Sequence, residues 1–487
     1  MTIELPILIT FVGYLVLTML IGVVAYKATS SLSDYILGGR RLGPGVAALS
    51  VGASDMSGWL LLGLPGAVYM YGLNQAWIGI GLVLGAWLNW LFVAKRLRVY
   101  TEQANDSLTL PDFLENRLDD RSGLIRAISA LTILIFFVFY TSSGLVGGAI
   151  LFEKVFGLPY LTALFIGGAV IVSYTFMGGF LAVSWTDFFQ GILMLLALIV
   201  MPWAVMNELG GVEQTLTTLD AMGEHKLDLF HDFSLLSGLS LLAWGLGYFG
   251  QPHILARFMA IDSPKSVPLS RRIAMSWMIL SLIGALGVGL SGAVYFTDAP
   301  LENSETVFLA LANAIFNPWV AGFLIAAIMS AIMSTIDSQL LVCSSAITED
   351  FYKRWLRPRA SDYELVWVGR FAVLAVAVLA LIIATDRNAT VLDLVSYAWA
   401  GFGAAFGPVM ILSVFWPRLT RNGALAGIIL GALTVIGWKQ LEGGLFDLYE
   451  IVPGFIICGL ACILVSRYDK APSKSVELGF RRMESEL

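Results

Sequence analysis

The sequence predicts an all-α polytopic membrane protein, and three observations carry that prediction. The 487 residues are 58% hydrophobic and only 13% charged, with a mean hydropathy of +0.81, whereas a soluble domain carries roughly 25% charged residues. Crossing a bilayer core of roughly 30 Å takes about 20 apolar residues as helix. Such runs occur thirteen times, at 5–26, 45–72, 74–94, 124–151, 159–178, 183–206, 233–257, 272–296, 315–347, 366–384, 390–415, 423–438 and 451–466. Finally, with the N-terminus outside, 25 of the 29 Lys and Arg residues, from Lys27 onward, fall on the inner side. Only Lys154, Lys226, Arg387 and Lys439 remain outside. That asymmetry sets the orientation and puts the C-terminus inside.

Helices are the element expected, because at this segment length only a helix satisfies its own backbone in lipid. The first run follows Glu4 with no basic leader and no small-residue cleavage site, so it reads as a retained helix. The inner loop after the third run carries Thr109-Leu-Pro-Asp112, a capping-box pattern that predicts a short surface helix. The tail from Arg467 is of mixed charge and reads as solvated. The formal charge of −6 reflects acidic external loops such as 302–305 and gives no reason to expect a nucleic-acid partner.

Other residues that could carry chemistry are set aside. Cys343, Cys458 and Cys462 lie in apolar runs and read as small buried hydrophobes, not a disulfide framework. The three histidines, His225, His231 and His253, show no metal spacing; the first two belong to an external loop and His253 reads as a packing or pathway residue. Gly245-Leu-Gly247-Tyr-Phe-Gly250 fits a dinucleotide fingerprint, but that motif needs a soluble βαβ unit and this copy sits within a span.

The second and seventh runs differ from the rest. Asp55, in Gly52-Ala-Ser-Asp-Met-Ser-Gly-Trp59, lies about ten residues into its run, or roughly 15 Å deep at about 1.5 Å per residue. A carboxylate there costs several kcal/mol unless solvated, paired or protonated. Gly52, Ser54, Ser57 and Gly58 make the helix easy to unwind, which frees carbonyls for a cation. The seventh run is interrupted by glycines and then by Gln251-Pro252-His253. Two broken spans five helices apart fit an inverted repeat. The chain then divides into an extra helix and first inner loop over 1–44, a first five-helix repeat over 45–206, an inverted second repeat over 207–415, and two extra helices with the tail over 416–487.

The ninth run supplies the complement. Ala331, Ser334, Thr335 and Ser338 recur at i, i+3, i+4 and i+7, one helix face of small, oxygen-bearing residues. Na⁺ is a hard cation and takes oxygen ligands, as other hard cations do. The two hydroxyls Ser334 and Thr335, with carbonyls freed at Ala53 and Met56, would form such a set. Close helix packing is the other use of small hydroxyl residues in a membrane, and periodicity alone leaves both open.

Four motifs then add a resemblance: SDMSGW at 54–59, Met333-Ser334-Thr335, YFGQPHILARFMA at 248–260 and SLTLPDFLENRL at 107–118. With these the whole chain resembles the sodium:solute symporter family. The resemblance implies the five-plus-five inverted repeat of LeuT-type transporters and Na⁺-driven uptake of L-proline across the bacterial cytoplasmic membrane, with no enzymatic step. It implies a sodium site at the carbonyls of Ala53, Met56 and Ala331 and the hydroxyls of Ser334 and Thr335. It assigns sodium coupling to Asp55, Ser57 and Asp187, and the solute pocket to Ser57, Gly58, Trp59, Tyr140, Trp244, Tyr248 and Pro252. Aromatic faces can hold both the pyrrolidine ring and its ammonium. An alternative for Asp187 is an interfacial carboxylate at a helix N-terminus, and Asp337 matches no family ligand.

Rival functions remain at this level. The same machine could carry pantothenate, a sugar or another amino acid, or couple to protons through Asp55, Asp187 or Asp337. A membrane redox subunit is disfavoured by the lack of paired axial histidines and cysteine clusters, and a sensor by the lack of an output domain.

Overall fold

The computed structural model describes residues 5–26, 31–177, 179–223, 225–386 and 390–487. Lys27 and Arg387, both part of the charge asymmetry, lie outside the described residues. Described residues are overwhelmingly helical. The chain opens with α1 (Leu5–Tyr26), then α2 (Pro44–Met56), α3 (Gly63–Tyr71) and α4 (Ala76–Leu88). A loop helix, α5 (Leu110–Arg117), precedes the long α6 (Leu124–Phe156), α7 (Tyr160–Met177) and α8 (Phe180–Glu208). Next come α9 (Leu235–Leu242), a 3₁₀ stretch Ala243–Gly250 and α10 (Pro252–Ala260). The remainder is α11 (Val267–Tyr295), α12 (Pro318–Ser345), α13 (Asp362–Ala384), α14 (Val391–Phe415), α15 (Arg421–Trp438), α16 (Ile451–Tyr468) and a tail helix α17 (Lys474–Ser485).

Ten helices among the described residues are long and apolar enough to cross a membrane, and eleven if the bent pair α2/α3 counts as one span. Every one of the thirteen expected runs coincides with helix. Two of them, Tyr160–Ser173 and Leu235–Gly250, qualify only as shorter apolar helices. Among the described residues, length and composition therefore support ten or eleven crossings, and these two segments make up the difference from the thirteen expected.

The core is α12, which packs against α1, α2, α6, α8 and α13. From Ile325 to Gln339 no residue is more than 3% exposed. The outer helices turn apolar side chains outward instead, as Leu20 of α1 and Phe371 and Ile382 of α13 do. In lipid this costs nothing, since acyl chains are as apolar as leucine.

Two expectations fail. The loop helix α5 has the expected N-cap, Thr109 Oγ1 accepting the Asp112 N–H at 3.1 Å. It is not a surface helix, however, because Leu110, Phe113, Leu114 and Arg117 are buried. The cause is Arg126 of α6, whose guanidinium gathers Asp112 at 3.0 Å, Glu115 at 2.9 Å, Glu349 at 3.3 Å and Asp350 at 2.7 Å. The tail is not simply solvated either. Val476, Phe480 and Met483, at helical spacing, are buried, and Phe480 meets Tyr100 edge-on with centroids 6.3 Å apart.

Candidate ion and solute site

The break between α2 and α3 builds the site. Ser57 takes φ 50°, ψ −173°, a left-handed φ that a side chain rarely adopts outside a constrained position. Its hydroxyl accepts the Trp59 N–H at 3.1 Å and caps the short turn Gly58–Leu60. The two halves diverge by 71°. Because the helical ladder stops here, nearby carbonyls turn to side chains. Ala53 O accepts Ser334 Oγ at 2.8 Å and Thr335 Oγ1 at 3.4 Å. The same hydroxyls lie 3.2 Å from Ala331 O. Four buried oxygens from α2 and α12 thus converge, all of the hard type that Na⁺ takes. Met56, fifth in the expected set, sits at the end of α2 and also faces the neighbouring pocket.

That pocket lies on the other side of the break. Asp55, Met56, Ser57, Trp59, Tyr140 and Tyr248 form much of its wall. Tyr248 donates its hydroxyl to Asp55 Oδ2, and Tyr140 donates to the Asp55 carbonyl at 3.1 Å. Trp59 stacks on Trp244 at 5.7 Å and 26°. The Trp59 indole N–H is buried with no hydrogen-bond partner. A carboxylate and an indole with an unpartnered N–H in the wall of one small cavity suit a zwitterion, whose ammonium and carboxylate need opposite partners. The cavity holds only about 10 Å³, about one water's worth, so the rings must part to admit a solute.

A family model described as the sodium:solute symporter family matches residues 35–431. The chain belongs to the sodium:solute symporter family. It is 54% identical to the sodium/proline symporter of Salmonella typhimurium over 491 residues, covering 100% of this chain and 97% of that protein. It is 55% identical over 461 residues to the high-affinity proline transporter PutP of Bacillus subtilis, covering 94% of this chain and 97% of that one. Among solved structures, a Na⁺-coupled sialic acid symporter in a substrate-bound outward-open state superposes with a TM-score of 0.82 at 20% identity. That alignment covers 97% of this chain and 100% of the other, and shows a shared fold.

In this sodium:solute symporter family member, not every expected residue reaches the site. Gly58 points its Cα toward α12, where an added Cβ would lie 3.1 Å from Ile332 Cγ1. Pro252 does not line the aromatic pocket; it lines a separate cleft with Arg257, Ser338 and Asp350, because α10 starts below the 3₁₀ stretch that carries Trp244 and Tyr248. Asp187 is no interfacial carboxylate. It is fully buried in α8 and pairs with Arg257 Nη2 at 3.0 Å, while Ser50 Oγ donates to it at 2.7 Å. Arg257 also bonds Ser338 Oγ at 2.5 Å, and Ser338 donates to Ser334 O at 2.8 Å. A continuous polar chain therefore links Asp187 to the oxygen cage. Asp337 turns away and accepts from Thr175.

Sequence reasoning missed Trp399 and Tyr449. Trp399 donates Nε1–H to Trp244 O at 2.7 Å and meets Tyr248 edge-on at 5.2 Å; Tyr449 packs on Trp244 at 5.5 Å. Trp399 comes from a segment with no polar signature, where only the glycine-rich run after it hints at close packing, and Tyr449 from an external loop that looked unrelated to the pocket. His253 packs edge-on against Phe137 and Tyr140, as expected. His225 and His231 break expectation: with Asp228 they present ligand atoms all within 4.8 Å of one another, because the loop folds at three residues per turn.

Proposed function

We propose that this chain couples inward Na⁺ flow to uptake of L-proline by alternating access. The observation that carries this reading is the bridge from Ser334 and Thr335 on α12 to the carbonyl of Ala53 beside the helix break. Na⁺ would take Ala53, Met56 and Ala331 carbonyls and the Ser334 and Thr335 hydroxyls, replacing these hydrogen bonds with ion–oxygen contacts. Binding there holds the broken helix against α12 and so sets the far wall of the solute pocket, which is built from the same break. Ammonium at Asp55 and carboxylate at the Trp59 N–H would orient the zwitterion, with the ring between Trp59, Trp244 and Tyr140. Asp187 and Ser57 act on coupling by holding the ends of this unit.

The two relatives named above are described as proline transporters at 54% and 55% identity, which favours proline over pantothenate, sugars or other amino acids. Coupling requires only that Na⁺ prefer the proline-competent conformation, by about 1–3 kcal/mol in typical cases, and linkage makes the effect reciprocal. We place the chain in the bacterial cytoplasmic membrane with thirteen crossings, N-terminus outside and C-terminus inside. Residues 45–206 and 207–415 form inverted repeats, flanked by 1–44 and 416–487. Both interrupted spans, α2/α3 and α9/α10, support this division.

Labelled proline uptake into proteoliposomes tests the reading. A Na⁺ gradient at constant pH should drive accumulation, and unlabelled proline should compete better than pantothenate, sugars or other amino acids. Uptake that ignores Na⁺ and follows a proton gradient would reject it.

A further inference from the structure

We propose that His225, Asp228 and His231 form a binding site for a divalent transition metal of the Zn²⁺ type. The backbone brings them to one side: Asp228 N–H donates to His225 O at 3.0 Å and His231 N–H to Asp228 O at 3.4 Å. Residues three apart on such turns superpose. The two imidazoles lie nearly parallel, 15° apart with centroids at 4.8 Å. Each of the three residues offers one ligand atom, and all three atoms fall within 4.8 Å of one another. Small rotations suffice to close them on one ion.

The chemistry selects the metal class. Two imidazoles and a carboxylate are a three-ligand set that Zn²⁺ accepts with water in the fourth position, and imidazole draws the later transition metals over Mg²⁺ or Ca²⁺. Asp232 Oδ2 lies 3.3 Å from His231 Nε2, a carboxylate of the kind that orients metal-bound imidazoles. The residues are exposed or half-buried, which leaves an open path for the ion.

The loop is not a free appendage. Lys226 O accepts the Leu73 N–H at 2.7 Å, Leu229 O accepts Trp77 Nε1–H at 2.9 Å, and Lys226 Nζ donates to Met70 O at 2.7 Å. An added Cβ at Gly72 would lie 2.6 Å from Lys226 O, so the fit is close. Just beyond, Ser234 caps α9. A metal here therefore stiffens the strap joining the end of the first broken span to the start of the second.

Zn²⁺ titration of purified, untagged full-length protein against a chromophoric chelator tests this. The wild type should take one equivalent, and His225→Ala/His231→Ala, which removes two direct ligands, should weaken binding by more than the roughly 100-fold that loss of an outer-shell partner can cost. Asp228→Asn, which preserves shape, should also weaken binding, and Zn²⁺ should slow amide exchange across 225–233 in the wild type alone. No stoichiometric Zn²⁺, equal binding by the double variant, or unchanged exchange would each overturn the proposal.

Discussion

Ser334 donates its hydroxyl to the carbonyl oxygen of Ala53 across 2.8 Å, joining positions 281 residues apart in the chain. In an unbroken helix that carbonyl would accept the N–H of Ser57. Here the helix ends at Met56 and Ser57 turns to positive φ, so the Ala53 carbonyl sits in the last turn beside the break, within reach of α12. The helix break and the contact between α2 and α12 are thus one feature, and whatever occupies the oxygen cage acts on both.

Opposite partners for a zwitterion make two separable predictions. Asp55→Asn removes the charge proposed to face the ammonium and should raise the KM for proline roughly 10- to 100-fold, the worth of a charge-assisted hydrogen bond. Trp59→Phe keeps the ring and its stack on Trp244 but deletes the unpartnered N–H. Its KM for proline should rise roughly tenfold, with the Na⁺ requirement little changed. Uptake kinetics at saturating Na⁺ and at saturating proline measure both.

How much of this was legible in the sequence follows from what each residue's neighbours are. Asp55 and its glycines announced a broken span because a carboxylate in lipid has few stable solutions. The Ser334 and Thr335 face was visible as periodicity, and its use came from the family resemblance. Long-range partners were not visible. Arg126 buries α5 by gathering its Asp112 and Glu115 together with Glu349 and Asp350 from a distant segment, and nothing local marks the helix as covered. For Asp187, a few residues into its run, the sequence left a coupling role and an interfacial carboxylate both open; Arg257, seventy residues on, takes it into the core. Trp399 has no chemical signature until Trp244 is beside it.

The Asp187–Arg257 pair is buried at both ends. Asp187→Asn leaves the guanidinium without its counter-charge and should cost about 3 kcal/mol or more of stability, whereas Asp187→Asn/Arg257→Gln should recover part of that loss. Thermal unfolding in detergent compares the three proteins. A double variant no more stable than the single would deny the pair its role.

Gly247 touches the back of the pocket. A Cβ there would lie 1.9 Å from Trp399 Nε1, so Gly247→Ala must displace the indole that donates to Trp244 O. Proline affinity should fall while the protein remains folded, as judged by proline-protected and unprotected unfolding curves. Unaltered affinity would show that Trp399 does not support the pocket.

Asp120 predicts a pH effect away from the spans. Burial pushes its carboxyl up, but donors from Ser122 and Ile125 and the nearby Arg421 outweigh this and hold it below its ordinary value. A depressed folded-state value means the contribution is present above the unfolded value and disappears as pH falls through the folded one. Asp120→Asn should therefore destabilise at pH 7 and matter progressively less in acid. Unfolding midpoints of both proteins across that pH range supply the comparison.

The Na⁺ dependence of proline uptake by Ser334→Ala/Thr335→Ala tests the central claim most directly. The half-saturating Na⁺ concentration should rise by at least roughly tenfold, since each lost polar contact to a charge is worth about 1.5 kcal/mol or more, with protein abundance in the membrane unchanged. A variant with wild-type Na⁺ dependence would remove α12 from the ion site and contradict the account.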